Sequence, residues 1–280
     1  MQNSICLKYG FAFFFFFYKE EATMSYFIVT GASSGIGEAM CDVLAQQGHD
    51  LIIVARRVDR LKQIKAKIES NYLREVIIMP ADLSDLSSLK QLHENCQSYH
   101  VVGLINNAGY GLYGEFLNLD IEDEFNMIDL NIKSVHYLSK LFLKDFVRQD
   151  EGYLLNVAST AAFQSGPLMA TYYASKGYVL QLTEAIAKEL EAKQSKVVVS
   201  VLCPGPVDTE FQQKADIKVA KSILKVPTAK EVAEYAYQEL MKGQTLIVPG
   251  LSNRVLLFFN RCIPRKLGCQ IVYHTQLKKK

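Results

Sequence analysis

The sequence lacks most of the usual marks of a metal, disulfide, nucleic-acid or membrane-spanning protein. It has no C-x-x-C pair and no H-E-x-x-H motif. Its cysteines, Cys6, Cys41, Cys96, Cys203, Cys262 and Cys269, are scattered through apparent helices and strands. They read as reduced thiols of a cytoplasmic protein, and no disulfide framework is expected. Cys262, Cys269 and His274 come nearest to a metal cluster, but their spacing fits no zinc pattern, so no metal is expected. An excess of one charge is also missing. The net charge is +2, which gives no reason to expect nucleic acid as a partner. The apolar stretch in "GFAFFFFFYKEEATM" (10–24) is shorter than the ~20 residues needed to span a bilayer. No repeat, low-complexity linker or second-domain boundary interrupts the chain. With 280 residues, 49% hydrophobic and 21% charged, it suits one large soluble α/β domain.

Residues 1–23 are expected to be non-native or disordered. Lys19-Glu20-Glu21 can be encoded by AAG-GAG-GAx, a bacterial ribosome-binding sequence, ahead of Met24, and a T-rich upstream stretch would encode poly-Phe. Translation is therefore expected to start at Met24.

From Tyr26 onward, short apolar runs alternate with helical patterns. Strands are predicted over 26–30, 50–55, 75–81, 101–106, 153–159, 196–203 and 244–249. Helices are predicted over 36–48, 58–70, 84–99, 121–148, 171–192 and 228–242, the last opening with a capping box of Thr228 and Glu231. Continuous apolar strands are buried on both faces, so the alternation predicts a parallel sheet with helices on both sides.

"TGASSGIG" (30–37) joins the first strand to the first helix. Glycines there let the backbone approach a phosphate, and the helix N-terminus supplies N–H groups and positive dipole. The spacing Gly31, Gly35, Gly37 is not the common G-x-G-x-x-G. Asp82 in "ADLSD", "NNAG" (106–109) and "PGPVDT" (204–209) end further strands on the same sheet edge, where open α/β sheets bind ligands. Asp82 can accept from an adenine amino group, although a helix cap is the alternative reading.

"TYYASKGYV" (171–179) carries two neighbouring tyrosines and one lysine. Tyr172 and Lys176 lie one helical turn apart and share a face, whereas Tyr173 is rotated away. A lysine ammonium on that face is expected to lower the tyrosine pKa from its usual value near 10. Ser159 is expected to end strand five and point its hydroxyl into the same edge. Asn131, midway along the long helix, needs a polar partner; it either positions a water against Lys176 or distorts the helix.

Together these motifs resemble the short-chain dehydrogenase/reductase family in its single-domain form, over about 24–250 and with members of bacterial type in view. The resemblance implies a Rossmann doubly wound sheet of seven strands, a nicotinamide nucleotide and carbonyl–alcohol hydride transfer. It implies Tyr172 as general acid–base and Lys176 on the nicotinamide ribose. Ser159 would polarise the carbonyl and Asn131 hold a relay water. The expected cofactor-binding set is Gly31, Ser33, Ser34, Gly35, Ile36, Gly37, Arg56, Arg57, Asp82, Leu83, Asn107, Ala108, Gly109, Tyr172, Lys176, Pro204, Gly205 and Val207, with Thr209 on the nicotinamide amide. Strand two ends at Ala55, where an NAD-binding fold carries a carboxylate, and Arg56 and Arg57 follow. Guanidinium groups suit a 2′-phosphate, so NADP(H) is the expected cofactor, with Arg56 the main contact and Arg57 supporting.

A non-catalytic NADP-binding sensor or scaffold is the alternative on the same fold, and epimerisation or dehydration a further rival. "GYGLYGEF" (109–116) and "AAFQSGPLMA" (161–170) are apolar and lack a cationic anchor, so a neutral lipophilic ketone or aldehyde is the expected substrate. The segment 208–226 is basic and reads as a lid. The resemblance further implies a homodimer or homotetramer. Residues 251–280 are expected to form a helical extension divided at Pro264. It serves either subunit packing or a cover over the cleft, or else anchors the chain at a membrane surface.

Overall fold

Alternation of apolar and helical segments produces alternation of strands and helices. The structure, a computed structural model, describes residues 25–207, 210 and 226–278. The expectations for residues 1–23, for Thr209 and for most of the 208–226 segment fall outside these. Seven parallel strands form one sheet: β1 (Ser25–Thr30), β2 (Asp50–Ala55), β3 (Val76–Pro80), β4 (His100–Asn106), β5 (Tyr153–Val157), β6 (Val198–Leu202) and β7 (Leu246–Ile247). Their order is β3-β2-β1-β4-β5-β6-β7. This is the doubly wound Rossmann arrangement, and its order reverses between β1 and β4.

Period-two alternation divides the strand side chains between two cores. Phe27, Val29, Leu51 and Ile53 pack on one face with Met40 and Leu44 of α1 (Gly35–Gln46), Leu61 and Ile68 of α2 (Val58–Tyr72), and Ala236 of α7 (Ala229–Met241). Ile28, Ile52 and Leu104 pack on the other with Leu89 of α3 (Leu86–Cys96) and with Leu138, Phe142 and Phe146 of α5 (Ser134–Gln149). The expected capping box forms on α7, where Thr228 Oγ1 accepts from Glu231 N and Glu231 accepts from Thr228 N. At α3 the cap is Asp85, which accepts from Ser88 N. Neither Asp82 nor Ser84 serves as that cap.

Among the predicted boundaries that differ from the fold, three have a clear local reason. The helix predicted over 121–148 is α4 (Ile121–Ile128), a π-helical turn (Asp129–Lys133) and α5. The π turn accommodates Asn131, which is fully buried and bonds across to another segment. β5 stops at Val157, because a short 3₁₀ turn (Thr160–Phe163) takes over, with Ser159 as its cap. β7 pairs through only two residues, not the six predicted, before Pro249 and Gly250 turn the chain away. The extension does divide at Pro264, into α8 (Leu251–Asn260) and α9 (Arg265–Leu277).

Two asparagines of the sheet hold a buried polar network. Asn106 Nδ2 donates to Asn156 Oδ1 at 2.9 Å and to Ser139 Oγ at 3.1 Å. Asn156 Nδ2 donates to Thr183 Oγ1 at 2.9 Å. The network ties β4 and β5 to α5 and to α6 (Ala170–Ala192). Asn156→Leu should destabilise the fold by about 1–3 kcal/mol, because it strips partners from buried groups. Urea unfolding measures this, and an unchanged midpoint would show that the network contributes nothing.

Candidate active site

The carboxyl ends of the strands enclose a cleft of about 800 Å³. At its first end lies the turn after β1. Gly31 and Gly35 have φ of 65° and 58°, in the left-handed region that glycine tolerates. A Cβ on Gly31 would stand 2.8 Å from Ala108 Cα. The N-N-A-G segment explains this closeness. Thr30 Oγ1 accepts from Asn107 N at 3.0 Å and Ala108 N at 3.1 Å, and Asn107 Nδ2 donates to Thr30 O at 3.0 Å. So Asn107 fixes the loop backbone, as expected of an asparagine there, while Asn106 turns into the core network. Ser34 occupies the N-cap of α1, but its side chain makes no cap hydrogen bond. The amides of that first turn are thereby left for an anion, which fits a phosphate.

Gly31, Ser33, Ser34, Gly35 and Ile36 line the cleft, as do Arg56, Arg57, Asp82, Leu83, Asn107, Ala108 and Gly109. Pro204, Gly205, Val207, Ser159, Tyr172 and Lys176 complete it. Two expected residues do not line it. Gly37 sits behind the turn, where a Cβ would come 2.3 Å from Gly31 O. Its part is to let α1 pack closely, not to touch a ligand. Asn131 lies beneath the cleft floor. Its Oδ1 accepts from Tyr110 N at 3.1 Å, and its Nδ2 donates to Tyr110 O at 2.9 Å and Ser175 Oγ at 3.1 Å.

Beyond β2, the two arginines are held differently. Arg57 donates through Nε and Nη2 to Ser33 Oγ at 3.2 and 3.1 Å, and it pairs with Glu210 at 3.0 Å. Arg56 is more exposed and stands 3.6 Å from Asp82 Oδ2. Asp82 lies two residues past the end of β3, and Ser84 already donates to its Oδ1 through N (3.0 Å) and Oγ (2.7 Å). Burial pushes Asp82 up, but the Ser84 hydrogen bonds and the Arg56 charge outweigh it and hold the carboxyl below its usual range.

At the other end, Tyr172 and Lys176 emerge from the first turns of α6, both buried. Lys176 Nζ donates to Val157 O at 2.9 Å and lies 5.9 Å from the Tyr172 ring centroid. Ser159 Oγ accepts from Ala161 N at 3.1 Å and also bonds the Tyr172 side chain. Burial pushes the Tyr172 phenol up to about 12, against the pull of the Ser159 hydrogen bond. Burial pushes Lys176 down to about 8. The expected lowering of the tyrosine by the lysine is therefore not found. Desolvation dominates both groups and favours their neutral forms.

Tyr173 also corrects an expectation. It does not face away. It lines the cleft beside Tyr172, with the two rings edge to face at 6.1 Å. Its hydroxyl accepts from Gln276 Nε2 at 2.6 Å, and the Tyr113 hydroxyl donates to Gln276 O at 2.9 Å. Gln276, on α9, is buried and lines the cleft, so the extension forms a wall of the site. The sequence offered no local signal for this contact, since 103 positions separate the pair.

Comparison with known proteins gives the arrangement a family. The family model described as "short chain dehydrogenase" matches residues 25–220. An uncharacterized oxidoreductase of Staphylococcus epidermidis is 30% identical over 198 residues, 70% of this chain and 84% of its own. Human 17-beta-hydroxysteroid dehydrogenase type 3 is 28% identical over 265 residues, 90% of this chain and 83% of its own. Among solved structures, a short-chain dehydrogenase from Sphingobium yanoikuyae in complex with NADPH superposes with a TM-score of 0.77 at 27% identity, covering 85% of this chain and 93% of that one. The motif order, the doubly wound sheet and these likenesses agree: the chain belongs to the short-chain dehydrogenase family of oxidoreductases.

Proposed function

We propose that the protein interconverts a carbonyl and an alcohol with NADP(H), taking a neutral lipophilic ketone or aldehyde. The observation that carries this reading is the shared cleft: Ser159, Tyr172 and Lys176 at one end, Arg56 and Arg57 beside the glycine turn at the other. The nicotinamide, when bound, supplies or accepts the hydride. The chain's own residues handle the proton. A phenol with its pKa raised keeps its proton across neutral pH, so Tyr172 donates to a carbonyl oxygen as it becomes an alcohol. Ser159, on a cap that fixes its rotamer, directs its hydroxyl at the same oxygen. Lys176 holds the ribose hydroxyls. Asn131 acts from below as a positioning residue, through the Tyr110 backbone and Ser175.

The substrate end is lined by Tyr110, Ala161, Met169 and Tyr173. Apart from buried Lys176, whose Nζ is bonded to Val157 O, no lysine or arginine lines that end among the described residues, which favours a neutral substrate over an anion. The human relative is by its name a hydroxysteroid dehydrogenase, in keeping with a bulky lipophilic carbonyl compound. Exposed Ile121 and Phe125 on α4 and Tyr178 on α6 suit packing against a second copy, so we infer a homo-oligomer. NADPH consumption across a panel of ketones and aldehydes tests the proposal. Turnover of neutral lipophilic carbonyls is expected, with weak use of carboxylates. Tight NADPH binding without any turnover would make the chain a sensor instead.

Cofactor choice gives a separate test. Arg57 is already committed to Ser33 and Glu210, while among the described residues Arg56 has only the 3.6 Å ion pair with Asp82. Arg56 is thus the freer of the two to take a 2′-phosphate. A charge-assisted hydrogen bond contributes about 1.5–3 kcal/mol, so Arg56→Ala should weaken NADPH binding about ten- to a hundredfold. NADH binding should hardly change. Equal weakening of both by titration would overturn the assignment.

A further inference from the structure

The last two helices use one side for the cleft and leave the other side bare. Inward, α9 buries Val272 and Gln276, and Gln276 closes the site against Tyr173. Outward, Val255, Leu256, Phe258 and Phe259 of α8 and Leu267 and Ile271 of α9 are all exposed. Phe258 and Phe259 are 64% and 58% exposed, unusual for phenylalanine on a free surface. Single exposed apolar residues need no explanation, but a cluster on adjoining helices marks an interaction surface.

The charges on these helices say what covers it. From Leu251 to Lys280 there is no aspartate or glutamate, while Arg254, Arg261, Arg265, Lys266 and Lys278 are all present. Arg261, Arg265, Lys266 and Lys278 are exposed, and none of them forms an ion pair with a described residue. A protein–protein interface core is depleted of lysine. A face that combines bulky apolar side chains with uncompensated cations matches an anionic lipid surface, where acyl chains receive the first and headgroup phosphates the second. No helix among the described residues is long and apolar enough to cross a membrane, so the contact is peripheral.

We propose that α8 and α9 dock the protein on anionic bilayers, with Phe258 and Phe259 inserted at the interface and Arg261 and Lys266 on the headgroups. The back of the same helix pair walls the cleft, so a lipophilic compound leaving the bilayer meets the site at short range. The docking itself does not depend on the reaction catalysed.

Vesicle co-sedimentation of the full chain tests the proposal, using phosphatidylglycerol–phosphatidylcholine vesicles against phosphatidylcholine alone. Binding is expected to the anionic vesicles and little to the neutral ones. Arg261→Gln with Lys266→Gln should weaken it about thirtyfold, and Phe258→Ser with Phe259→Ser by about tenfold or more. NADPH titration confirms that both double variants are folded, since neither touches the cleft. No vesicle binding, equal binding to both vesicles, or anionic binding unchanged in both variants would overturn the proposal. Sedimentation velocity identifies the rival occupant. If the wild type binds no vesicles and the phenylalanine variant breaks an oligomer, the face is a contact between copies of this chain.

Discussion

Tyr172→Phe is expected to lower kcat by about 10²–10⁴-fold, the usual contribution of a general acid–base group, while NADPH still binds. The substitution removes one oxygen and leaves the ring among Met127, Ala161 and Met169. The physical basis of the expected loss is the burial of that phenol. Burial raises it to about 12, so at neutral pH it is a proton donor and not a phenolate. The adjacent tyrosine supplies the control. Tyr173→Phe loses only the hydroxyl that accepts from Gln276, so turnover should persist, with any change falling on KM as the α9 wall loosens. Steady-state kinetics with parallel fluorescence titration of NADPH separates the two outcomes. Near-normal turnover by Tyr172→Phe would refute the assignment, whatever Tyr173→Phe does.

Lys176→Met should abolish most turnover and also change how stability responds to pH. In the folded chain the ammonium is buried and its pKa falls to about 8, against 10.5 when exposed. Between these values the unfolded chain holds a proton that the folded chain has released. Raising the pH through this window therefore favours folding, and the gain is lost as the pH falls back from 10.5 to about 8. Buried Cys41, Cys96 and Cys203, whose thiols are pushed up by burial, lower stability above pH 9 in both proteins, so the Lys176 contribution is read as a difference: relative to Lys176→Met, the wild-type urea midpoint should gain between pH 8 and pH 10. Tyr172 acts in the opposite sense at higher pH. Its raised pKa means that stability falls once the pH passes 10, the usual tyrosine value. A difference between wild type and Lys176→Met that stays flat from pH 8 to pH 10 would show that Lys176 does not carry a depressed pKa. A wild-type kcat in the methionine variant would remove it from the chemistry.

The parts of this molecule that follow from periodicity were readable in advance. β1, β2 and β4 are apolar runs buried on both faces, and their extents agree with the prediction to within a residue. The capping box at Thr228 was readable because Thr and Glu three positions apart act within one turn. Tyr172 and Lys176 could be paired because the helix alone brings them together. What could not be read depends on distant partners. Rotation on its own helix turns Tyr173 away from Tyr172, but α9 wraps round to meet it at the cleft. A neighbouring charge is visible in the sequence near Tyr172, whereas burial by the whole cleft decides its pKa. The short β7 reflects an edge strand with one pairing partner, so its apolar run had less ladder to join. Asn131 stands out in the sequence as a polar intruder in a helix, but its partner, the Tyr110 backbone, is invisible to helical periodicity.

The π turn at Asp129–Lys133 constrains how this protein can change length. An α-helix rotates by about 100° per residue, and the π turn takes up one extra residue in a wider turn, so that the two halves of the rod keep their facing. One half presents Met127 towards the site; the other presents Leu138, Phe142 and Phe146 to the sheet. Deleting a single residue within the turn would restore a regular helix with its two halves still in phase, but would remove the bulge that carries Asn131. Asn131 would swing away from Tyr110, while the two phenylalanines would keep their place in the core. Loss of about a full turn, three or four residues, would keep the phase and only shorten the rod. A one-residue deletion in the turn therefore costs the Asn131 contact and spares the rod, whereas the same deletion within α5 would turn its apolar face off the sheet.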